Sequence, residues 1–111
     1  MQLKKEKMEK LTENEIDFNL TTLKGWSYND NRIIKDFSFK NFKEAFAAMT
    51  KIGAVAEELN HHPDWYNSYN KLNIKLRSHD VDGLTMNDFE LASRIEEIIA
   101  ESTKKRPRMN S

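Results

Sequence analysis

Lys71-Leu72-Asn73-Ile74-Lys75-Leu76-Arg77 alternates apolar and polar residues without a break. Successive side chains of a strand point to opposite faces, so a period of two marks a strand with one buried and one wet face. Trp65 to Tyr69 reads as its partner strand, with Asn70-Lys71 as the turn. Immediately before it stands Glu57-Glu58-Leu59-Asn60-His61-His62-Pro63-Asp64-Trp65: a helix end, two adjacent histidines, and a proline that cannot continue the helix.

That helix opens at Asn41-Phe42-Lys43-Glu44, which has capping-box spacing, and is predicted over about 42–60. It carries two apolar stripes, Phe42, Phe46, Met49, Gly53 and Ala56 beside Ala45, Ala48, Ile52, Val55 and Leu59. One stripe of about 100° serves a helix packed only on its own sheet. The wider arc here is covered either by the other helices or by a second subunit.

N-terminal to it, Ile33, Phe37 and Phe39 share one parity of the run Arg32 to Lys40. Trp26-Ser27-Tyr28 opens a preceding strand, and Asn29-Asp30-Asn31 has turn chemistry. A first helix is predicted over about 13–23, from the capping box Thr12-Glu13-Asn14-Glu15 to Gly25. A last helix starts at Thr85-Met86-Asn87-Asp88 and carries Phe89, Ala92, Ile95 and Ile99. The expected fold is α+β: a four-stranded antiparallel sheet with three helices on one face, in the order α-β-β-α-β-β-α. Residues 1–11 are expected to be a lead-in, 12–100 a single domain, and 101–111 a polar, disordered tail. Such a sheet leaves two open edges, a second hint of self-association.

The 111-residue chain has 18 basic and 18 acidic residues and no cysteine. Balanced charge gives no global field toward nucleic acid or membrane, and direct nucleic-acid binding is not expected. Without cysteine there is no disulfide, thiolate metal site or cysteine nucleophile. No apolar run approaches the roughly 20 residues that span a bilayer. Basic residues at the N-terminus are not followed by an apolar segment, so no signal peptide is expected and the default location is cytoplasmic.

Two of the three histidines are adjacent, at His61 and His62, and the third, His79, follows the alternating strand. A structural zinc site wants four ligands, often cysteines, and a His-only catalytic zinc needs three converging imidazoles. There is no G-x-S-x-G elbow, and glycines at 25, 53 and 83 build no phosphate loop. General acid–base work suits the residues better, with Glu57, Glu58, Asp80, Asp82 and Asp88 available to orient imidazoles. The plain alternative is that His61 and His62 only cap the helix, whose last carbonyls favour cations.

Glu57-x-x-x-His61-His62-Pro63-Asp64-Trp65, then Tyr69-Asn70-Lys71, His79, Gly83-Leu84-Thr85 and Asp88, resembles the pterin-4a-carbinolamine dehydratase family. Leu11-Thr12, Gly25-Trp26, Phe37-x-Phe39-x-x-Phe42 and Leu91-Ala92 extend the likeness over about residues 11–100. The resemblance implies dehydration of 4a-hydroxytetrahydrobiopterin to quinonoid dihydrobiopterin, with no metal and no organic cofactor. It implies that His61, His62 and His79 line the pterin pocket as the catalytic residues, with His62 first in the acid–base role. Asn60, Arg77 and Ser78 stand where family members touch substrate, and Glu57 and Asp88 give polar support. Trp65 is a pocket wall or a core aromatic. Asn60 replaces an aspartate of some relatives, and Arg77 and Ser78 replace smaller hydroxyl residues of animal members. The basic tail from Lys104 has no counterpart in the family pattern. The likeness further implies a homodimer or homotetramer, joined at a sheet edge and, in tetramers, through the long helix. Animal members also stabilise dimers of a homeodomain transcription factor, and divergent relatives assist assembly of other proteins. A non-catalytic role of either kind, acting through the helix over 42–60, is therefore the alternative.

Overall fold

A computed structural model describes residues 9–105. Its elements follow the expected order: α1 (Glu13–Leu20), β1 (Ser27–Asn29), β2 (Arg32–Ser38), α2 (Phe42–Leu59), β3 (Asp64–Ser68), β4 (Lys71–Leu76) and α3 (Met86–Lys105). The strands form one antiparallel sheet in the order β1-β2-β4-β3. The alternating strand β4 is therefore central, and β1 and β3 are the edges.

Register explains the alternation. Ile33 faces Leu76 and Phe37 faces Leu72, while Ile74 lies between Lys35 and Trp65. Leu72, Ile74 and Leu76 are buried and join Ile52 of α2 and Leu91, Ala92 and Ile95 of α3 in a single core. The opposite faces of β2 and β4 carry Arg32, Ile34, Asp36, Lys71, Asn73, Lys75 and Arg77. On the core side, Lys35 lies 2.6 Å from Glu96 of α3, and the same carboxylate oxygen accepts from Trp26 Nε1 at 2.8 Å.

Several boundaries differ from the sequence reading, each for a local reason. Helix α1 ends at Leu20 rather than near 23, because the Thr21 and Thr22 hydroxyls turn back onto the carbonyls of Phe18 and Asn19. The β3–β4 turn is Tyr69-Asn70 rather than Asn70-Lys71; Tyr69 takes φ 53°, and Lys71 already pairs with Ser38 and Ser68. At the β1–β2 turn, Asp30 and Asn31 have φ of 56° and 65°, both left-handed, which suits a tight hairpin. Helix α3 continues to Lys105, five residues past Ala100. The rest of the expected tail, and most of the expected lead-in, lie outside the described residues.

The wide apolar arc of α2 is only partly covered within the chain. Ala45, Ala48, Ile52 and Ala56 are buried, but Phe42 and Phe46 remain 45% and 56% exposed and stack on each other at 5.7 Å.

Candidate active site

The site begins with how α2 stops. Asn60 adopts the left-handed conformation, φ 53° and ψ 43°, which asparagine tolerates better than most residues. Its amide and that of His61 turn back onto the carbonyls of Ala56 and Glu57, with His61 N 3.0 Å from Ala56 O. This 6→1 closure satisfies the helix end with main-chain donors. Among the described residues neither imidazole is used as a cap, so both rings are free for other partners.

His61 turns inward. Its Nε2 lies 2.6 Å from Oδ1 of Asp88, whose side chain is fully buried at the start of α3. The second oxygen, Oδ2, accepts from Ser78 Oγ at 2.7 Å and from the Thr85 amide at 2.9 Å. The single hydrogen of Ser78 is thereby committed to Asp88, so Thr85 Oγ1, 2.8 Å from Ser78 Oγ, is the donor between the two hydroxyls. Thr85 Oγ1 in turn accepts from the Asn87 amide. A buried carboxylate is costly unless its lone pairs are satisfied, and here both oxygens are engaged. A carboxylate only accepts, so Nε2 of His61 carries a hydrogen, and in the neutral form of the ring Nδ1 keeps its lone pair.

His62 turns the other way. Its Nε2 lies 2.7 Å from Glu57 Oε2, one turn back on α2, and both side chains are more than half exposed. Consecutive residues thus carry one imidazole held from the interior and one held from the surface. His79 is 67% exposed, with Nε2 3.9 Å from Asp64 Oδ2, too far for a hydrogen bond. Arg77 Nη2 lies 3.2 Å from Asp82 Oδ1. Trp65 is half-buried and packs against the core. Asn60 serves as the left-handed residue of the cap.

The structure therefore draws His61, Ser78 and Asp88 into one network, pairs His62 with Glu57, and sets His79 at the same end of the sheet. Thr85 was not among the site residues expected from the sequence. Its position three residues before Asp88 marks the start of α3, where Asp88 accepts from the Thr85 amide. The groove of about 260 Å³ between α2 and α3, lined by Lys51, Val55, Arg94, Glu97, Ile98 and Glu101, holds none of these groups. Among the described residues no three His, Cys, Asp or Glu side chains are placed to hold a metal ion, and no helix is long and apolar enough to cross a membrane.

Known proteins share this arrangement of sequence. A protein of Christiangramia forsetii, provisionally named a pterin-4-alpha-carbinolamine dehydratase, is 50% identical over 96 residues, covering 86% of this chain and 98% of that one. One of Sulfurisphaera tokodaii with the same provisional name is 46% identical over 92 residues, covering 83% and 99%. Among solved structures, the transcriptional coactivator/pterin dehydratase of Brucella melitensis superposes with a TM-score of 0.79 at 37% identity, covering 81% of this chain and 98% of that one. A pterin dehydratase-like protein identified as a RuBisCO assembly factor in the alpha-carboxysome shares the fold alone, with a TM-score of 0.56 at 19% identity over 66% of this chain and 84% of that one. The model of the pterin 4 alpha carbinolamine dehydratase family matches residues 9–98, the span that carries α1, α2, the sheet, every histidine and the first part of α3, and the chain belongs to that family.

Proposed function

We propose that the protein is a hydro-lyase that dehydrates 4a-hydroxytetrahydrobiopterin to quinonoid dihydrobiopterin, serving tetrahydrobiopterin recycling. One observation carries the reading within this family: two consecutive residues each bear a carboxylate-held imidazole, His61 on Asp88 and His62 on Glu57.

In the reaction the C4a–O bond breaks and the oxygen leaves as water after taking a proton. N5 loses its hydrogen, and its electron pair forms the C4a=N5 double bond. Nothing is oxidised or reduced overall, so the balance needs no electron carrier. His62 is the acid–base residue at the departing hydroxyl, with Glu57 2.7 Å from its Nε2 orienting the ring. His61, whose Nδ1 lone pair is fixed by the Asp88 contact, accepts the hydrogen at N5. His79, exposed at the same end of the sheet, contributes to binding the ring. Each well-placed proton transfer is worth about 10²–10⁴ in rate.

The oligomer belongs with this reading. The edge strands β1 and β3 and the exposed Phe42–Phe46 face of α2 support a homodimer or homotetramer. The same face favours, as a second reading, a non-catalytic assembly or coactivator role, in keeping with the double description of the Brucella protein. The deciding experiment is turnover of 4a-hydroxytetrahydrobiopterin by the purified protein and by His62→Ala. Wild-type turnover well above the uncatalysed rate, lost in the variant, supports the enzyme. A wild type no faster than buffer sinks it and leaves the second reading.

A further inference from the structure

The open face of the sheet carries two arginines where strand chemistry disfavours them. The β2–β4 register ends with Ile33 opposite Leu76, and the next residue on each side is an arginine, Arg32 and Arg77. Like charges directly across an antiparallel pair repel, their Cβ atoms about 4.5–5.5 Å apart. Neither side chain is free in solvent: the Nε atoms of both are buried with no hydrogen-bond partner among the described residues. Arg77 has Asp82 at 3.2 Å, and no side-chain ion pair of Arg32 exists among the described residues.

Other charged groups surround the pair. Lys75, next along the same face, donates to Asn73, and Asn73 donates to Asp36. Asp64 stands opposite Lys75 and 3.9 Å from His79. Arg32, Lys75 and Arg77 thus gather at the end of the sheet that carries the histidines, with Asp30 in the β1–β2 turn, Asp64 on β3 and Asp80 and Asp82 in the loop after β4. Arg77 is one residue from Ser78 of the Asp88 network and two from His79.

We propose that Arg32 and Arg77 form an oxyanion subsite that receives a phosphate monoester on the side chain of the pterin. Guanidinium forks match phosphate bidentately, and a monoester has three terminal oxygens, enough for two forks at once. The pterin side chain leaves the ring at the carbon next to N5, so it departs from the reaction centre itself, toward the rim that His79 and Arg77 share. Binding there turns a repulsive cross-strand pair into a bridged one and makes the protein selective for phosphorylated over neutral pterins. The inference rests on the dehydratase reading for the placement of the ring.

The test compares kcat/KM for 4a-hydroxytetrahydrobiopterin with that for the 4a-hydroxy form of a tetrahydropterin phosphorylated on its side chain, in wild type, Arg32→Gln and Arg32→Lys. The phosphorylated substrate is expected to be favoured by about 10- to 100-fold, the range for a charge-assisted contact. That ratio is expected to collapse toward one in Arg32→Gln and to fall partway in Arg32→Lys, which keeps the charge without the fork. Turnover of both substrates with no preference overturns the subsite and leaves the dehydratase reading standing. Turnover of neither overturns the dehydratase reading, and the subsite is then decided by calorimetry of the phosphorylated and unphosphorylated tetrahydropterins, where equal affinity overturns it. Competition by inorganic phosphate without any preference between the pterins also overturns it, assigning the pair to the free anion.

Discussion

Replacing Asp88 by asparagine should invert the His61 ring without emptying the site. The carboxylate accepts three hydrogen bonds, from Ser78, the Thr85 amide and His61. In Asp88→Asn the amide oxygen has to stay toward Ser78 and Thr85, because the Thr85 N–H cannot accept. The amide NH2 then faces His61 Nε2, which becomes the acceptor, and the ring hydrogen moves to Nδ1. Shape is kept, but three charge-assisted bonds become neutral ones, each weaker by about 1 kcal/mol, with partial relief from no longer burying a charge. A net loss of roughly 1–3 kcal/mol lowers Tm by about 5–20 °C for a domain of this size. Loss of the Nδ1 lone pair removes one proton transfer, an expected fall of about 10²–10⁴ in kcat/KM. Asp88→Ala is the poorer probe: three unmatched buried donors cost roughly 3–5 kcal/mol, a large share of a total of about 5–15. The assay is turnover of 4a-hydroxytetrahydrobiopterin beside ¹⁵N shifts of the imidazole, which report the tautomer independently of rate. A folded Asp88→Asn protein that turns over like wild type, with hydrogen still on Nε2, refutes the reasoning.

Other outcomes follow from the same geometry. His62→Ala should lower kcat/KM by about 10²–10³ while stability stays within about 0.5 kcal/mol, because its pair with Glu57 is exposed; thermal unfolding and kinetics measure both. Asn60→Gly should leave Tm unchanged or raise it, whereas Asn60→Ala should cost about 1–2 kcal/mol, since alanine disfavours the left-handed cap; denaturant unfolding separates them. Phe46→Glu should preserve the circular dichroism of the fold while reducing association in sedimentation, because the ring is 56% exposed and contributes little to the monomer core. An unchanged sedimentation profile removes this face of α2 from any interface.

The sequence made the architecture readable because β4 advertises its period and the caps mark the helix starts. Asn41 accepts from Glu44 N and Thr12 from Glu15 N, as their spacing predicted. Boundaries were less readable where threonines or a left-handed tyrosine decided them, since those side chains act through hydrogen bonds that no period encodes. The histidine cluster was also visible, but its partners were not equally so. Glu57 sits one turn from His62, a local pairing. Asp88 is 27 residues from His61, and its local spacing to Thr85 announced a helix cap. The carboxylate performs both tasks with different oxygens, which only the meeting of three chain segments reveals. The arginine pair was hidden for a similar reason: it exists only through the register of β2 on β4.

That double duty of Asp88 has a consequence for how variation in this protein would be sorted. A screen that scores cellular abundance and one that scores turnover should agree at position 88, because one carboxylate anchors both a helix start and a reacting ring. At position 62 the two screens should part, with abundance untouched and turnover gone. Drift can therefore silence His62 and leave a well-folded bystander, while the loss of Asp88 lowers stability and turnover together. Inactive descendants of such a chain should keep their aspartate longer than their exposed histidine.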